Sequence, residues 1–247
     1  MYSWKAIRTF CAVLLLIPII HLTYLASQEL LATMDASPDT WAAEVRVYAK
    51  ADVLVEIPTK SVLVVGGRRV KLWKGLGDLL SPKPVVMRPL GDATINDITH
   101  YYAELIGYYQ PSTLVVLPGN SEFHVRDNKS AEELVTAIRK LVTLDESFEI
   151  PRQYLIFAPI KTPLHPEDYA KIEKTTLLLQ QWDLENDQVE VLDPNTLLAR
   201  SNGNPNPDFF RIDGVNLNEQ GYVRLSLLLQ SLLTQDEQEP YASNSTR

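Results

Sequence analysis

The chain has 247 residues, 45% of them hydrophobic and 22% charged, which excludes wholesale disorder and allows one domain of roughly 200 residues. The 23 basic and 31 acidic residues give a formal net charge of −8, which argues against a general nucleic-acid-binding protein, because such proteins present a net basic surface. A single cysteine, Cys11, excludes an intrachain disulfide framework and a zinc site built from cysteines.

The N-terminus carries an apolar run over residues 10–26, preceded by Lys5 and Arg8. This run is close to the minimum of about 17 residues for a membrane-spanning helix. The charged residues that follow it are first acidic, so the positive-inside rule places the rest of the chain outside the cytoplasm. No clear small-x-small cleavage site follows, which favours an uncleaved anchor over a cleaved signal peptide or a buried core helix. We expect anchoring in a bacterial inner membrane facing the periplasm, or secretion if the segment is cleaved.

Runs rich in Val, Leu and Ile alternate with helical patterns along the rest of the chain. The runs predict strands at residues 61–65, 85–87, 113–117, 153–158 and 189–192. Apolar residues at three- and four-residue spacing predict helices at 40–51, 97–109, 131–144, 166–182 and 219–233. Ser130 and Glu133 form a candidate capping box. The alternation predicts a flavodoxin-like three-layer α/β/α sandwich with a five-stranded parallel sheet.

The chain divides into four parts on this basis. Residues 1–27 form the anchor or signal segment, and residues 28–60 form a linker with the lead-in helix. Residues 61–234 form the α/β domain, and residues 235–247 form an acidic, then Ser/Asn-rich tail that we expect to be disordered. Ligands of such sheets bind outside the carboxyl ends of the strands, so the turns there are the candidate site.

Four segments at these turns and before the last helix carry a pattern. They read GGRRVKLW at residues 66–73, RPLGD at 88–92, LPGNSE at 117–122 and DGVNLNEQGY at 213–222. In order and spacing they resemble the SGNH/GDSL family of lipases, esterases and acyl-hydrolases, over about residues 40–233. The last segment is the most specific, because the family's Asp-Gly-x-His-x-Asn followed by Gly-Tyr is nearly intact.

The resemblance implies a serine hydrolase site in which several parts are replaced. The family has a nucleophilic serine in the first turn, a glycine and an asparagine that hold the oxyanion in the next two, and an Asp–His pair in the last segment. The corresponding residues here are Arg68, Gly91, Ser121 (with Asn120 one place earlier), Asp213 and Asn216. A guanidinium is no nucleophile, and a neutral amide cannot accept the serine proton. Loss of such a nucleophile or base costs on the order of 10⁶ in rate.

These replacements predict a hydrolase fold without the family's usual activity, acting as a binding or assembly module in the cell envelope. The alternative is an active esterase or acyl-hydrolase with rearranged residues, such as Ser121 with His124, acting on acylated envelope glycans or lipids. A third interpretation is a purely structural partner in an envelope complex. No metal-ligand pattern and no nucleotide-binding loop is present, so we expect no metal and no cofactor.

The basic residues of the first turn suggest an acidic ligand. Between residues 66 and 74 there are four bases and no acid, so Arg68 could bind a carboxylate, sulfate or phosphate. Alternatively, Arg68 pairs with Asp213 or Glu122 and plugs the cleft. The ligand-binding candidates are Gly67, Arg68, Arg69, Gly91, Asn120, Ser121, His124, Asp213 and Asn216.

Two retained residues and one histidine have further interpretations. Asp213 could instead accept backbone N–H bonds within its Asp-Gly turn. Gly91 could be needed for a positive φ or a close approach of other atoms to the backbone. His165 could line the cleft from the loop after the fourth strand. The expected partners are a membrane, an anionic or glycan ligand and an envelope protein, and not a nucleic acid.

Overall fold

A five-stranded parallel sheet forms the centre of the computed structural model, which describes residues 4–34, 37–124, 126–150 and 152–235. The strands are β1 (Val62–Gly66), β2 (Val85–Pro89), β3 (Thr113–Leu117), β4 (Gln153–Phe157) and β5 (Val189–Leu192). Their spatial order is β2-β1-β3-β4-β5, and every neighbouring pair is parallel. The predicted sheet is therefore confirmed, with strand ends that differ from the predicted ones by at most two residues.

The described residues form eight α-helices, and all but the first cover the two faces of the sheet. They are α1 (Trp4–Met34), α2 (Ala42–Asp52), α3 (Arg68–Leu72), α4 (Leu76–Leu79), α5 (Ile95–His100), α6 (Ala131–Glu146), α7 (Tyr169–Asp183) and α8 (Glu219–Gln235). Successive side chains of a strand point to opposite faces, so each buried strand contributes to two cores. Leu63 and Val65 pack with α2, α5, α6 and α7, whereas Val62 and Val64 pack with α3, α4 and α8. The result is the predicted three-layer arrangement.

The helix predicted at residues 97–109 differs from the observed structure. α5 begins at Ile95 because Thr94 and Asp97 form a reciprocal capping box that the sequence analysis overlooked. It ends at His100, and a wider π-turn follows over Ala103–Gly107, with the Tyr108 N–H donating to the Ala103 carbonyl. The capping box predicted at Ser130 is confirmed, because its hydroxyl accepts the Glu133 N–H at 3.2 Å.

The lead-in helix α2 packs onto the sheet. Trp41, at its N-terminus, and Val45 are buried in the same core as Leu63. The Tyr48 hydroxyl donates to the Pro89 carbonyl oxygen at 2.5 Å, at the end of β2. These contacts bring α2 to the turn that follows β2, which is one of the turns of the candidate site.

The N-terminal helix α1 carries exposed apolar side chains, including Leu15, Ile20 and Leu22, so its described part does not enter the core. Within the described residues, no helix combines the length and apolar character needed to cross a membrane. The tail predicted to be disordered lies, after Gln235, outside the described residues.

Candidate functional site

A cavity of about 540 Å³ lies at the carboxyl ends of the strands. Its wall includes the predicted residues Arg68, Arg69, Asn120, Ser121, His124, Asp213 and Asn216. His165 lines the cavity as the sequence predicts, and Asp92, Gly119, Leu164 and Val215 complete the wall. The structure therefore brings most of the predicted residues together around one space. Gly67 and Gly91 are not among the lining residues, and a Cβ on Gly67 would be 2.9 Å from the Ala93 carbonyl oxygen.

Arg68, which follows β1, forms an ion pair with Asp92, which lies in the turn after β2. Its Nε donates to Asp92 Oδ1 at 2.7 Å, and its Nη2 donates to Oδ2. This pair raises the pKa of Arg68 above its ordinary value. The proposed partners Asp213 and Glu122 are therefore wrong. Asp92 takes their place because β1 and β2 are neighbours, so the turns that follow them lie side by side.

Glu122 is a buried structural group. Its carboxylate accepts the Ile95 N–H at 2.7 Å and pairs with Lys129 Nζ at 2.9 Å. Burial raises the pKa of Glu122 against the opposing effect of Lys129. These bonds tie the turn after β3 to the start of α5 and leave Glu122 out of the cavity.

Asp213 organises the turn that precedes α8. Its Oδ1 accepts the N–H groups of Val215 and Asn216, each at 2.9 Å, and its Oδ2 accepts the Asn216 side-chain amide at 2.7 Å. Partial burial favours the neutral carboxyl, but these bonds outweigh it and lower the pKa of Asp213. The interpretation of Asp213 as a turn-stabilising residue is confirmed. Asn216, at the family's histidine position, completes that turn.

The Gly91 amide, which the resemblance assigns to the oxyanion hole, donates to Glu44 Oε2 at 2.8 Å. Glu44 lies on α2, and its other oxygen pairs with Lys71 Nζ at 2.6 Å. The ring of Trp41 packs so closely that a Cβ on Gly91 would lie 2.2 Å from Trp41 Cζ3. The close approach of the Trp41 ring thus explains why residue 91 is a glycine. The Glu44 carboxylate already accepts the Gly91 N–H that an oxyanion would need.

Ser121 and His124 bond to different partners. Ser121 is buried, and its Oγ donates to the Ala93 carbonyl at 3.2 Å. His124 Nε2 lies 2.5 Å from Asp168 Oδ2. The structure therefore does not form the rearranged Ser121–His124 pair, although both side chains line the cavity.

The imidazoles of His124 and His165 stack with their centroids 4.0 Å apart. His165 Nδ1 lies 2.9 Å from Glu167 Oε1, and this contact lowers the pKa of Glu167. Among the described residues, His124, His165 and Glu167 have ligand atoms within 4.8 Å of one another and could hold a metal ion. The sequence analysis expected no metal site, because these residues come from two loops and match no short motif.

Arg69 lines the cavity and is nevertheless buried, with 3% of its surface exposed. Its Nη1 and Nη2 reach the carbonyl oxygens of Pro118 and Ile160 at 3.4 and 3.5 Å, and its Nε has no partner. Burial lowers the pKa of Arg69 to about 10. The sequence analysis lists Arg69 among the ligand-binding candidates, but nothing in the sequence showed that it would be buried while Arg68 is exposed.

Three residues that hold the site were missed: Glu44, Asp92 and Asp168. Asp92 directly follows Gly91, so the sequence already places it in the second turn, next to the candidate site. Glu44 and Asp168 lie on elements remote in sequence from their partners, and only the packing of α2 and the loop after β4 reveals them.

The fold matches solved hydrolase structures at low sequence identity. No family model and no curated protein matches the sequence. A GDSL-like lipase from Bacteroides thetaiotaomicron VPI-5482 is 14% identical with a TM-score of 0.67, over 78% of this chain and 98% of that one. A lipase/acylhydrolase from Enterococcus faecalis (14% identity, TM-score 0.58) covers 71% of this chain and 96% of its own length. A carbohydrate esterase family 3 structure from Talaromyces cellulolyticus is 14% identical with a TM-score of 0.56, over 71% of this chain and 96% of that one. The chain therefore has an SGNH/GDSL hydrolase-like fold.

Proposed function

We propose that this chain is a non-catalytic binding or assembly module of the cell envelope, built on an SGNH/GDSL hydrolase-like fold. The observation that carries the proposal is the Arg68–Asp92 ion pair at the position where the family has its nucleophile. A guanidinium cannot be deprotonated under ordinary conditions and cannot attack an ester. The ion pair fixes it at the mouth of the cavity, where it can contact a ligand without reacting.

The other parts of the family's machinery support the same proposal. The Glu44 carboxylate occupies the Gly91 N–H, so an oxyanion there would meet a negative charge instead of a free donor. Asn216 stands at the histidine position and donates to Asp213, so it offers no basic nitrogen. Loss of the nucleophile or base costs about 10⁶ in rate, and loss of one oxyanion donor about 10² to 10³.

The membrane-anchored location is part of the proposal. The positive-inside pattern and the apolar run of the N-terminal sequence support an anchor with the α/β domain outside the cytoplasm, although α1 as described does not meet the requirements of a spanning helix. A cavity of this size fits a small acid or a glycan unit, and an envelope protein is the expected partner of the assembly role.

An ester-hydrolysis assay tests the proposal. The full chain, purified in detergent, is incubated with a panel of short acyl esters and acetylated glycans. A matched variant with Ser121, His124 and His165 all changed to Ala controls for contaminating esterase. We expect equal, background rates for both proteins, and activity confined to the unmodified chain would refute the proposal.

One observation favours an active enzyme as the second candidate. His124 lines the cavity and is oriented by Asp168, which is how a general base is held in many hydrolases. A Ser121 side chain rotated away from Ala93 would then be the nucleophile. Activity that disappears in His124→Ala, but persists in His100→Ala, would support this candidate.

A further inference from the structure

We propose that Arg69 is the receptor for an oxyanion group on the ligand of this cavity, a carboxylate or a sulfate or phosphate ester. The proposal rests on the proposed function, in which the cavity binds its ligand without cleaving it. It also moves the anion-binding role from Arg68, which Asp92 already neutralises, to the neighbouring arginine.

Arg69 is an incompletely satisfied cation. Its two hydrogen bonds go to neutral carbonyl oxygens at 3.4 and 3.5 Å, which is the long limit for such bonds, and its Nε has none. A charge held out of water is strongly unfavourable unless an opposite charge and full hydrogen bonding accompany it. The fold therefore leaves the positive charge of Arg69 for something else to match.

The other buried arginines differ from Arg69 in having a carboxylate beside them, although Arg152 also has buried nitrogens without a hydrogen-bond partner. Arg126 lies 3.3 Å from Asp97, and Arg152 lies 2.9 Å from Asp145. In the described part of the chain, no carboxylate oxygen comes within 4.0 Å of the Arg69 guanidinium. Arg69 is thus the buried arginine whose counter-ion the described chain does not supply.

The position of Arg69 makes a ligand the natural counter-ion. Its side chain lies between the turns after β3 and β4 and forms part of the cavity wall. The two carboxylates of that wall are already engaged, Asp92 by Arg68 and Asp213 by the turn before α8. The positive charge of Arg69 consequently remains unmatched inside the cavity.

The cavity also indicates the size of the ligand. A volume of about 540 Å³ exceeds what a lone acetate or sulfate needs and is in the range of small-molecule sites. Leu164 and Val215 contribute apolar side chains to the cavity wall. We therefore assign a small organic acid or acidic sugar, with its oxyanion on Arg69 and its body in the cavity.

Thermal unfolding of the full chain in detergent tests this assignment. Sodium acetate, sulfate and phosphate are each titrated at pH 7 and constant ionic strength, with sodium chloride as the balancing salt. We expect a saturable rise in Tm, roughly 5–10 °C at 100 times the Kd, for at least one anion. Comparing the Tm shift in acetate with the shifts in sulfate and phosphate shows whether the site prefers a planar or a tetrahedral anion.

Variants of Arg69 separate binding from a purely structural role. Arg69→Met removes the charge, and we expect it to abolish the saturable shift while the anion-free Tm stays equal or rises, because an unmatched buried charge is gone. Arg69→Lys keeps the charge but loses the guanidinium fork, so we expect at least tenfold weaker binding. Lys74→Met, an exposed base nearby that does not line the cavity, is the control and keeps the wild-type shift.

Three outcomes would overturn the assignment. One is the lack of any saturable shift in the unmodified chain with all three anions. Another is a wild-type Kd in Arg69→Met, or in Arg69→Lys if the Met variant does not fold. The third is a lower anion-free Tm in a folded Arg69→Met variant with binding retained. None of these involves ester hydrolysis, so failure here is distinguishable from failure of the proposed function.

Discussion

The contact between Gly91 and Trp41 gives a direct test of how α2 docks on the second turn. In Gly91→Ala the new Cβ would lie 2.2 Å from Trp41 Cζ3 and 2.6 Å from Cη2. Real Cβ atoms do not come under about 3.0 Å, so the indole or the turn must move. The indole is rigid and buried, which leaves little room for relief.

The cost follows from measurements on overpacked cores. Added atoms in a well-packed site typically cost about 1–3 kcal/mol, which lowers Tm by roughly 2–12 °C for a domain of this size. The Glu44 bond to the Gly91 N–H would be displaced by the same movement. We therefore expect Gly91→Ala to reduce the free energy of unfolding by an amount in this range.

Urea unfolding, followed by tryptophan fluorescence and by circular dichroism, measures the change. Trp41→Leu removes the obstructing ring, so a double-mutant cycle isolates the steric term. We expect the loss caused by Gly91→Ala to shrink by at least about 1 kcal/mol in the Trp41→Leu background. A cost below about 0.5 kcal/mol in the original background, or strict additivity in the cycle, would refute the docking argument.

Three further predictions concern groups around the site. Lys129→Met leaves the buried Glu122 without its cation and should cost about 3–5 kcal/mol of unfolding free energy, with recovery in the double variant that also carries Glu122→Gln. Full stability of the single variant in urea would contradict this. Asp213 has a pKa below its usual 3.8, so its contribution is complete above that value and is lost as the pH falls through the lowered pKa. The stability difference between the unmodified chain and Asp213→Asn, measured from pH 7 to pH 2.5, should therefore be largest at pH 7 and shrink below about pH 4. A difference that stays constant over this range would contradict a stabilising role for the Asp213 charge. Ser130→Ala removes a helix cap and should cost about 1 kcal/mol, whereas Ser147→Ala at the other end of α6 should change little.

The sheet was predictable because its strands are short, nearly continuous runs of branched apolar residues. Thr113–Leu117 and Val189–Leu192 begin and end where the sequence pattern placed them. A strand buried on both faces reads as a continuous apolar run, without alternating polar residues, so the sequence alone identifies it. α5 was less well predicted, because a one-turn capping box and a π-turn replace the regular spacing there.

The candidate site was predictable as a set of turns but not as a set of contacts. Parallel strands bring their carboxyl ends to one edge, which is why Arg68, Ser121 and Asp213 meet around one cavity. Partner choice depends on packing between elements remote in sequence. Glu44 reaches Gly91 only because α2 folds back onto the sheet. The contrast between a paired Arg68 and an unmatched Arg69 likewise depends on which way each side chain points.

Labelling with a fluorophosphonate tests the central claim most directly, because the reagent reports an activated serine without any knowledge of the substrate. The full chain in detergent is treated with the reagent beside an active serine hydrolase, and intact mass is measured. We predict no adduct on this chain, since Ser121 donates to a backbone carbonyl and the nucleophile position is Arg68. A stoichiometric adduct on Ser121 that is lost in His124→Ala would contradict the account and establish a working hydrolase.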